Sequence, residues 1–135
     1  MKNTLIAVVL VGVIFGGVYL LKNNSSQSTS TGGYSSVASV NNVTVENGKQ
    51  IVTINTKGGY QPQKSIAKAG MPTVIRFVTN GTFDCSSSVR IPSMGIAKVL
   101  PQTGNTDIDI GTPQVATLQG LCVMGMYRFQ IDFQG

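Results

Sequence analysis

The chain has two cysteines, Cys85 and Cys122, and the second opens a short sulfur-bearing segment, Gly120-Leu-Cys-Val-Met-Gly-Met126. Met124 and Met126 follow Cys122 at two and four residues. Thiolate and thioether are soft donors, which select Cu(I), or Ag(I) by the same logic, over hard cations. A segment carrying Gly125 between its methionines is free to aim sulfur atoms at one point, so a metal set of Cys85, Cys122, Met126 and Met124 is expected. Methionine is also a common filler of protein cores, and that packing role competes with ligation. Met94, before Gly95, is an outside member of the set, whereas Met71 lies in a turn sequence and has no special claim.

Absences narrow the chemistry further. With no histidine in the chain, Ser-His-Asp and Cys-His catalysis, a histidine-based zinc enzyme and a histidine pH switch are all excluded. The five acids, Glu46, Asp84, Asp107, Asp109 and Asp132, fall mostly at turn or exposed strand positions. Asp107 and Asp109 share a face of one probable strand, where a solvated surface is the expected role rather than a carboxylate pair. No glycine-rich loop opens a helix, so no phosphate cradle is available. The chain is therefore not expected to be an enzyme. Its net charge of +5 raises the question of a nucleic-acid partner. The lysines and arginines beyond residue 22 occur singly, without the basic run and interleaved aromatics such binding uses, and none is expected.

Strands must position these groups. Residues 44–46 and 50–56 alternate β-branched with polar residues around Asn47-Gly48, a strong two-residue hairpin signal. Further strand-like runs cover 64–68, 73–79, 87–91, 96–100, 106–110, 115–122 and 127–133. Between them lie Gly58-Gly59, Gly70-Met71-Pro72, Asn80-Gly81, Pro92, Gly104-Asn105 and Gly111-Thr112-Pro113. Short strands parted by turn residues at this rhythm predict an antiparallel sandwich or barrel. Tyr127, Phe129, Ile131 and Phe133 alternate onto one face of the last strand, an expected core stripe.

The N-terminus is of another kind. Residues 4–21 are uncharged and apolar, between Lys2 and Lys22. At about 1.5 Å per residue a helix there spans roughly 27 Å, close to the hydrocarbon thickness of a bilayer. A cleaved signal peptide would have a shorter core and a small-x-small cleavage site, which Val18-Tyr-Leu-Leu-Lys22 does not offer. Residues 1–22 are thus expected to be an uncleaved membrane anchor. Residues 23–39, rich in Ser, Thr, Asn and Gly, read as a flexible linker. Residues 40–135 form the expected β domain, on the extracytoplasmic side of the cell membrane. In an exported domain the two cysteines have a second option, a disulfide. Closing across 36 intervening residues would stabilise by roughly 3–4 kcal/mol. A structural or protein-docking domain without metal is the corresponding alternative function.

Several signposts occur together: Gly58-Gly-Tyr-x-Pro62, Ala69-Gly-x-Pro72, Val74-Ile-Arg-Phe77, Val89-Arg-Ile-Pro92 and the terminal Cys122-x-Met-Gly-Met-Tyr-Arg128. In this order the chain resembles the cupredoxin-like, plastocyanin-related domains of membrane-anchored bacterial copper-binding proteins. The resemblance implies a Greek-key β-sandwich with a metal site at one end, where the loop before the last strand meets a mid-chain residue. It thereby implies that Cys85 and Cys122 come together. A blue-copper site uses two histidines and a cysteine, and the corresponding positions here fall near Ser87 and near Met124 or Met126. A one-electron carrier is accordingly the less favoured reading. The expected cofactor is Cu(I), the expected role its capture, buffering or transfer, and the expected partner a copper donor or acceptor protein.

Overall fold

The structure is a computed structural model that describes residues 41–135. It contains β1 (Val43–Glu46), β2 (Lys49–Thr56), β3 (Tyr60–Gln61), β4 (Lys64–Lys68) and β5 (Thr73–Asn80). There follow β6 (Ser88–Ile91), β7 (Ile96–Val99), β8 (Thr103–Asp109), β9 (Ala116–Leu121) and β10 (Arg128–Gln134). Single 3-10 turns, Cys85–Ser87 and Pro92–Met94, lie before and after β6. No helix among the described residues is long and apolar enough to cross a membrane. The anchor expected at 1–22 and the linker at 23–39 lie outside the described residues.

The strands form two five-stranded sheets packed as a sandwich. One has the order β1-β2-β5-β8 with β3 also on β2, and the other the order β4-β10-β9-β6-β7. The all-β class is as expected, but the sheets are mixed rather than antiparallel. β5 runs parallel to β2, and β10 parallel to β4. The reason is connectivity. After β3 the chain crosses to the other sheet for β4 and returns as β5, and such a crossover brings a strand back in its original direction.

Local sequence explains most elements. Asn47 and Gly48 both adopt positive φ, at 50° and 77°, and close the β1–β2 hairpin with Glu46 opposite Lys49. In β5, Thr73, Ile75, Phe77 and Thr79 are buried while Val74, Arg76 and Val78 are partly exposed, the period of two expected of a strand with one inward face. β10 buries Phe129, Ile131 and Phe133 in the same way, and Tyr127 packs against the core from just before it. One turn assignment shifts. Gly104-Asn105 lies inside β8, where Gly104 pairs with Thr79 at φ 139°. Glycine there marks a bend within a strand rather than its end. The two-residue β3 is too short to carry an alternation.

Between the sheets Tyr60, Phe77 and Phe129 meet edge to face, with ring centroids 5.0 to 6.3 Å apart. This cluster lies under the end of the sandwich that carries both cysteines, and Tyr60 ties the two together. Its ring is buried with the core, while its hydroxyl donates to the Ser88 carbonyl at 2.6 Å.

Candidate metal centre at the sulfur-bearing end

Cys85 is positioned by the turn that follows β5. Gly81 adopts a φ of 61°, and the fully buried Thr82 donates its hydroxyl to the Thr56 carbonyl. Asp84 then caps the 3-10 turn Cys85–Ser87. Its carboxylate accepts from the Ser86 backbone N–H at 2.8 Å, from the Ser86 hydroxyl, and from the Gly58 N–H at 2.8 Å. One side chain thus holds the Cys85 turn and pins it to the Gly58-Gly59 turn. The Ser86 hydroxyl first, with the two N–H groups behind it, holds the Asp84 carboxyl below the usual carboxylate range against the opposing effect of partial burial. The Tyr60 phenol is pushed above its ordinary value, mainly by burial and further by the Asp84 charge. It therefore stays protonated and keeps its hydrogen bond to Ser88.

Cys122 stands just beyond β9 in the connection to β10. Its N–H donates to the Tyr127 carbonyl at 3.0 Å, and its carbonyl accepts from Gly125 N–H at 2.9 Å. Gly125 makes this tight turn possible with a φ of 73°, a conformation that costs a side-chain-bearing residue strain. The Tyr127 N–H points at Cys122 Sγ at 3.5 Å. Such a donor favours the sulfur when it carries negative charge.

The fold brings the two cysteines into bonding contact. They form a disulfide with a Cα–Cα separation of 5.9 Å, Cys122 fully buried and Cys85 partly exposed. Ser88 knits the two loops together, donating its hydroxyl to the Cys85 carbonyl at 3.0 Å and accepting from the Val123 N–H at 3.3 Å. Met124 and Met126 lie on the same loop as Cys122 and reach outward, 76 % and 66 % exposed, so neither fills the core. Met94 follows the far end of β6 from Cys85, and Met71 precedes β5, away from the Cys85 turn. These two methionines are not gathered to the site.

The candidate donors are therefore two cysteine sulfurs, bonded to each other, and two solvent-facing thioethers on the Cys122 loop. Among the described residues no group of three or more His, Cys, Asp or Glu side chains is arranged to hold an ion. A hard or borderline cation has nothing to select here, whereas an all-sulfur set suits a soft one. Thiolate ligation requires the disulfide to be opened. Asp107 and Asp109 do not form a carboxylate pair. Asp107 is engaged bidentately by Arg76 at 2.8 Å and Asp109 by Lys49 at 3.2 Å, as befits a solvated strand face.

Three positioning residues escaped the sequence reading. Asp84 had a local signal, since Asp-Cys-Ser places a carboxylate two residues before a backbone N–H it can cap. Ser88 and Tyr60 act across 35 and 28 residues of sequence; nothing local marks Ser88, and the Gly58-Gly-Tyr-x-Pro62 signpost contains Tyr60 without revealing its bond to Ser88.

A family model described as cupredoxin-like domain matches residues 20–131. No curated protein matches the chain. Among solved structures, the solution structure of a copper binding protein in the apo form is similar at 23% identity and a TM-score of 0.62, covering 68% of this chain and 94% of its own. The metal binding domain of the Streptococcus pneumoniae D39 Cu(I) exporting P-type ATPase CopA, determined with Cu(I), is similar at 20% identity and a TM-score of 0.61, covering 69% and 93%. At these identities the likeness is one of fold.

Proposed function

Because this chain belongs to the cupredoxin-like domain family, we propose that it binds a soft monovalent metal, copper(I) or by the same chemistry silver, at Cys85 and Cys122, with Met124 and Met126 completing the site. The observation that carries the reading is the meeting of both cysteines beside a loop with two exposed methionines in a chain without histidine. Two related folds are described as copper binding and as a Cu(I)-bound metal binding domain, which supports copper as the metal. The exposed Met124 and Met126, with Cys85 partly exposed, suit capture, buffering or transfer, because a partner can reach them, whereas Cys122 is buried behind them. The role proposed is binding rather than catalysis. Residues 1–22 are proposed to hold the domain at the extracytoplasmic face of the cell membrane, within reach of a copper donor or acceptor protein.

Metal loading needs the reduced pair. Opening the disulfide takes two electrons and two protons from an external thiol reductant, and the metal then displaces the thiol protons. The reduced protein is expected to take Cu(I) from a competing chelator in an anaerobic titration, and Cys85→Ser and Cys122→Ser to compete far less well. Equally poor competition by wild type and both variants would sink the proposal.

The bonded pair also favours a second reading, a disulfide-stabilised docking domain that never carries metal. A thiol count on protein isolated without reductant separates the two. Full oxidation that persists in the presence of cellular thiol reductants, with no Cu(I) uptake, would favour the docking domain.

A further inference from the structure

Cations that are scattered along the sequence are gathered by the fold. Lys57 lays its Nζ beside Gly81, 3.7 Å from where a Cβ would stand. Arg90 and Arg128 are the register partners of Leu121 on its two sides, one residue before Cys122. Lys98 lies opposite Val89, next to Arg90. By their place in the strands these four cations lie near the sulfur-bearing end, Lys98 on the edge strand and on the opposite sheet face from Arg90, and none belongs to an ion pair among the described residues.

The acids are elsewhere. The chain has only five, all within the described residues. Asp107, Asp109 and Asp132 are engaged by Arg76, Lys49 and Lys64, and Glu46 lies at the β1–β2 hairpin, remote from the Cys85 turn. Asp84 alone remains at the sulfur end, its carboxylate enclosed by three donors. Four cations thus share this end with one carboxylate. The same end also exposes Phe83, Val99, Val123, Met124 and Met126.

A positive field of this kind repels a free metal cation and attracts an anion. We propose that the site receives its metal as an anionic complex, in which Cu(I) is already held by negatively charged small-molecule ligands, and not as the aquated ion. This rests on the soft-metal reading above. The cations raise the local concentration of the complex, and Met124 and Met126, at the rim, are the first sulfurs it meets. Exchange then passes the metal to Cys85 and Cys122 while the carrier ligands leave as anions. Charge balances, because each thiol releases its proton as its sulfur takes up the metal.

The test is the rate of Cu(I) transfer to the reduced full chain in uncharged detergent, followed anaerobically by stopped flow. One donor is the trianionic bis-bicinchoninate complex, and the other is the cationic bis-neocuproine complex. The ratio of the two rates cancels effects common to both donors. For wild type it is expected to fall about ten-fold between about 20 mM and about 500 mM salt, as screening removes the field. At low salt, Arg90→Gln/Arg128→Gln should lower the ratio several-fold with equilibrium Cu(I) affinity unchanged, whereas Lys68→Gln, at the other end of the sandwich, should leave it alone. A ratio indifferent to both salt and the arginine substitutions, in protein that still binds Cu(I), overturns the anionic-carrier proposal only. Absence of Cu(I) binding at equilibrium overturns the soft-metal reading, and the carrier proposal with it.

Discussion

Asp84 shows how one side chain can set the geometry of a site without belonging to it. Its two oxygens divide the work: Oδ1 caps the Cys85 turn through Ser86, and Oδ2 holds Gly58. Charge-assisted bonds from a carboxylate to backbone N–H groups are among the stronger hydrogen bonds a surface turn can make. Asp84→Ala is therefore expected to lower stability by about 1–2 kcal/mol, the usual cost of a lost cap. Asp84→Asn should fall between the two, since an amide oxygen can still cap Ser86 while its NH2 group cannot accept from Gly58. Urea unfolding of the oxidised proteins checks the order. An Asp84→Ala midpoint equal to wild type would show that the turn is held by the disulfide alone.

At the scale of elements, the β9–β10 pair fixes where the sulfur loop emerges. Gly120 lies opposite Phe129 in the register, and the Phe129 ring leans across the glycine so closely that a Cβ there would stand 2.1 Å from the ring. Gly120→Ala should displace that ring from its edge-to-face contacts with Tyr60 and Phe77 and cost about 1–3 kcal/mol, typical of overpacking. Trimming the ring in Gly120→Ala/Phe129→Leu should make the two costs less than additive, whereas strict additivity in urea midpoints would mean that the residues do not meet. This pair also marks what the sequence could reveal. The alternation that buries Phe129, Ile131 and Phe133 is local, as is the Asn47-Gly48 hairpin, and both are legible. That Phe129 takes the space of a Cβ at Gly120, that β5 runs parallel to β2, and that Tyr60 reaches Ser88 all depend on pairings between distant segments. Residue types alone do not contain them. The site divides likewise. Its cysteines and neighbouring methionines are evident from composition and spacing, and the meeting of Cys85 with Cys122 was expected both as a disulfide of an exported domain and from resemblance, but the residues that hold the two loops had to be seen in space.

For the whole molecule, the same charge arrangement that surrounds the sulfur end also fixes the response to acid. Asp84, Asp107, Asp109 and Asp132 all have carboxyls held below the usual range. The first causes are, in turn, the Ser86 hydroxyl, the Arg76 guanidinium, the Gly111 N–H and the Lys64 ammonium. A carboxyl whose pKa is lower folded than unfolded contributes stability that is complete above the unfolded value, near 4, and is lost as pH falls through the folded one. The four carboxyls are exposed or partly exposed, so each contribution is small after solvent screening, but all four act in the same direction. No histidine titrates above them. The urea midpoint of the oxidised protein should therefore be flat from about pH 5 to 8 and decline below about pH 4. Added salt should blunt the decline, because it screens the ion pairs of Asp107, Asp109 and Asp132 more than the hydrogen bonds from neutral donors that hold Asp84. A fall beginning between pH 5 and 7 would contradict this account, since the described domain holds no group whose titration supplies it. Repeating the measurement on Asp84→Ala separates the contributions, because the part of the acid decline that resists salt should be the part that this substitution removes.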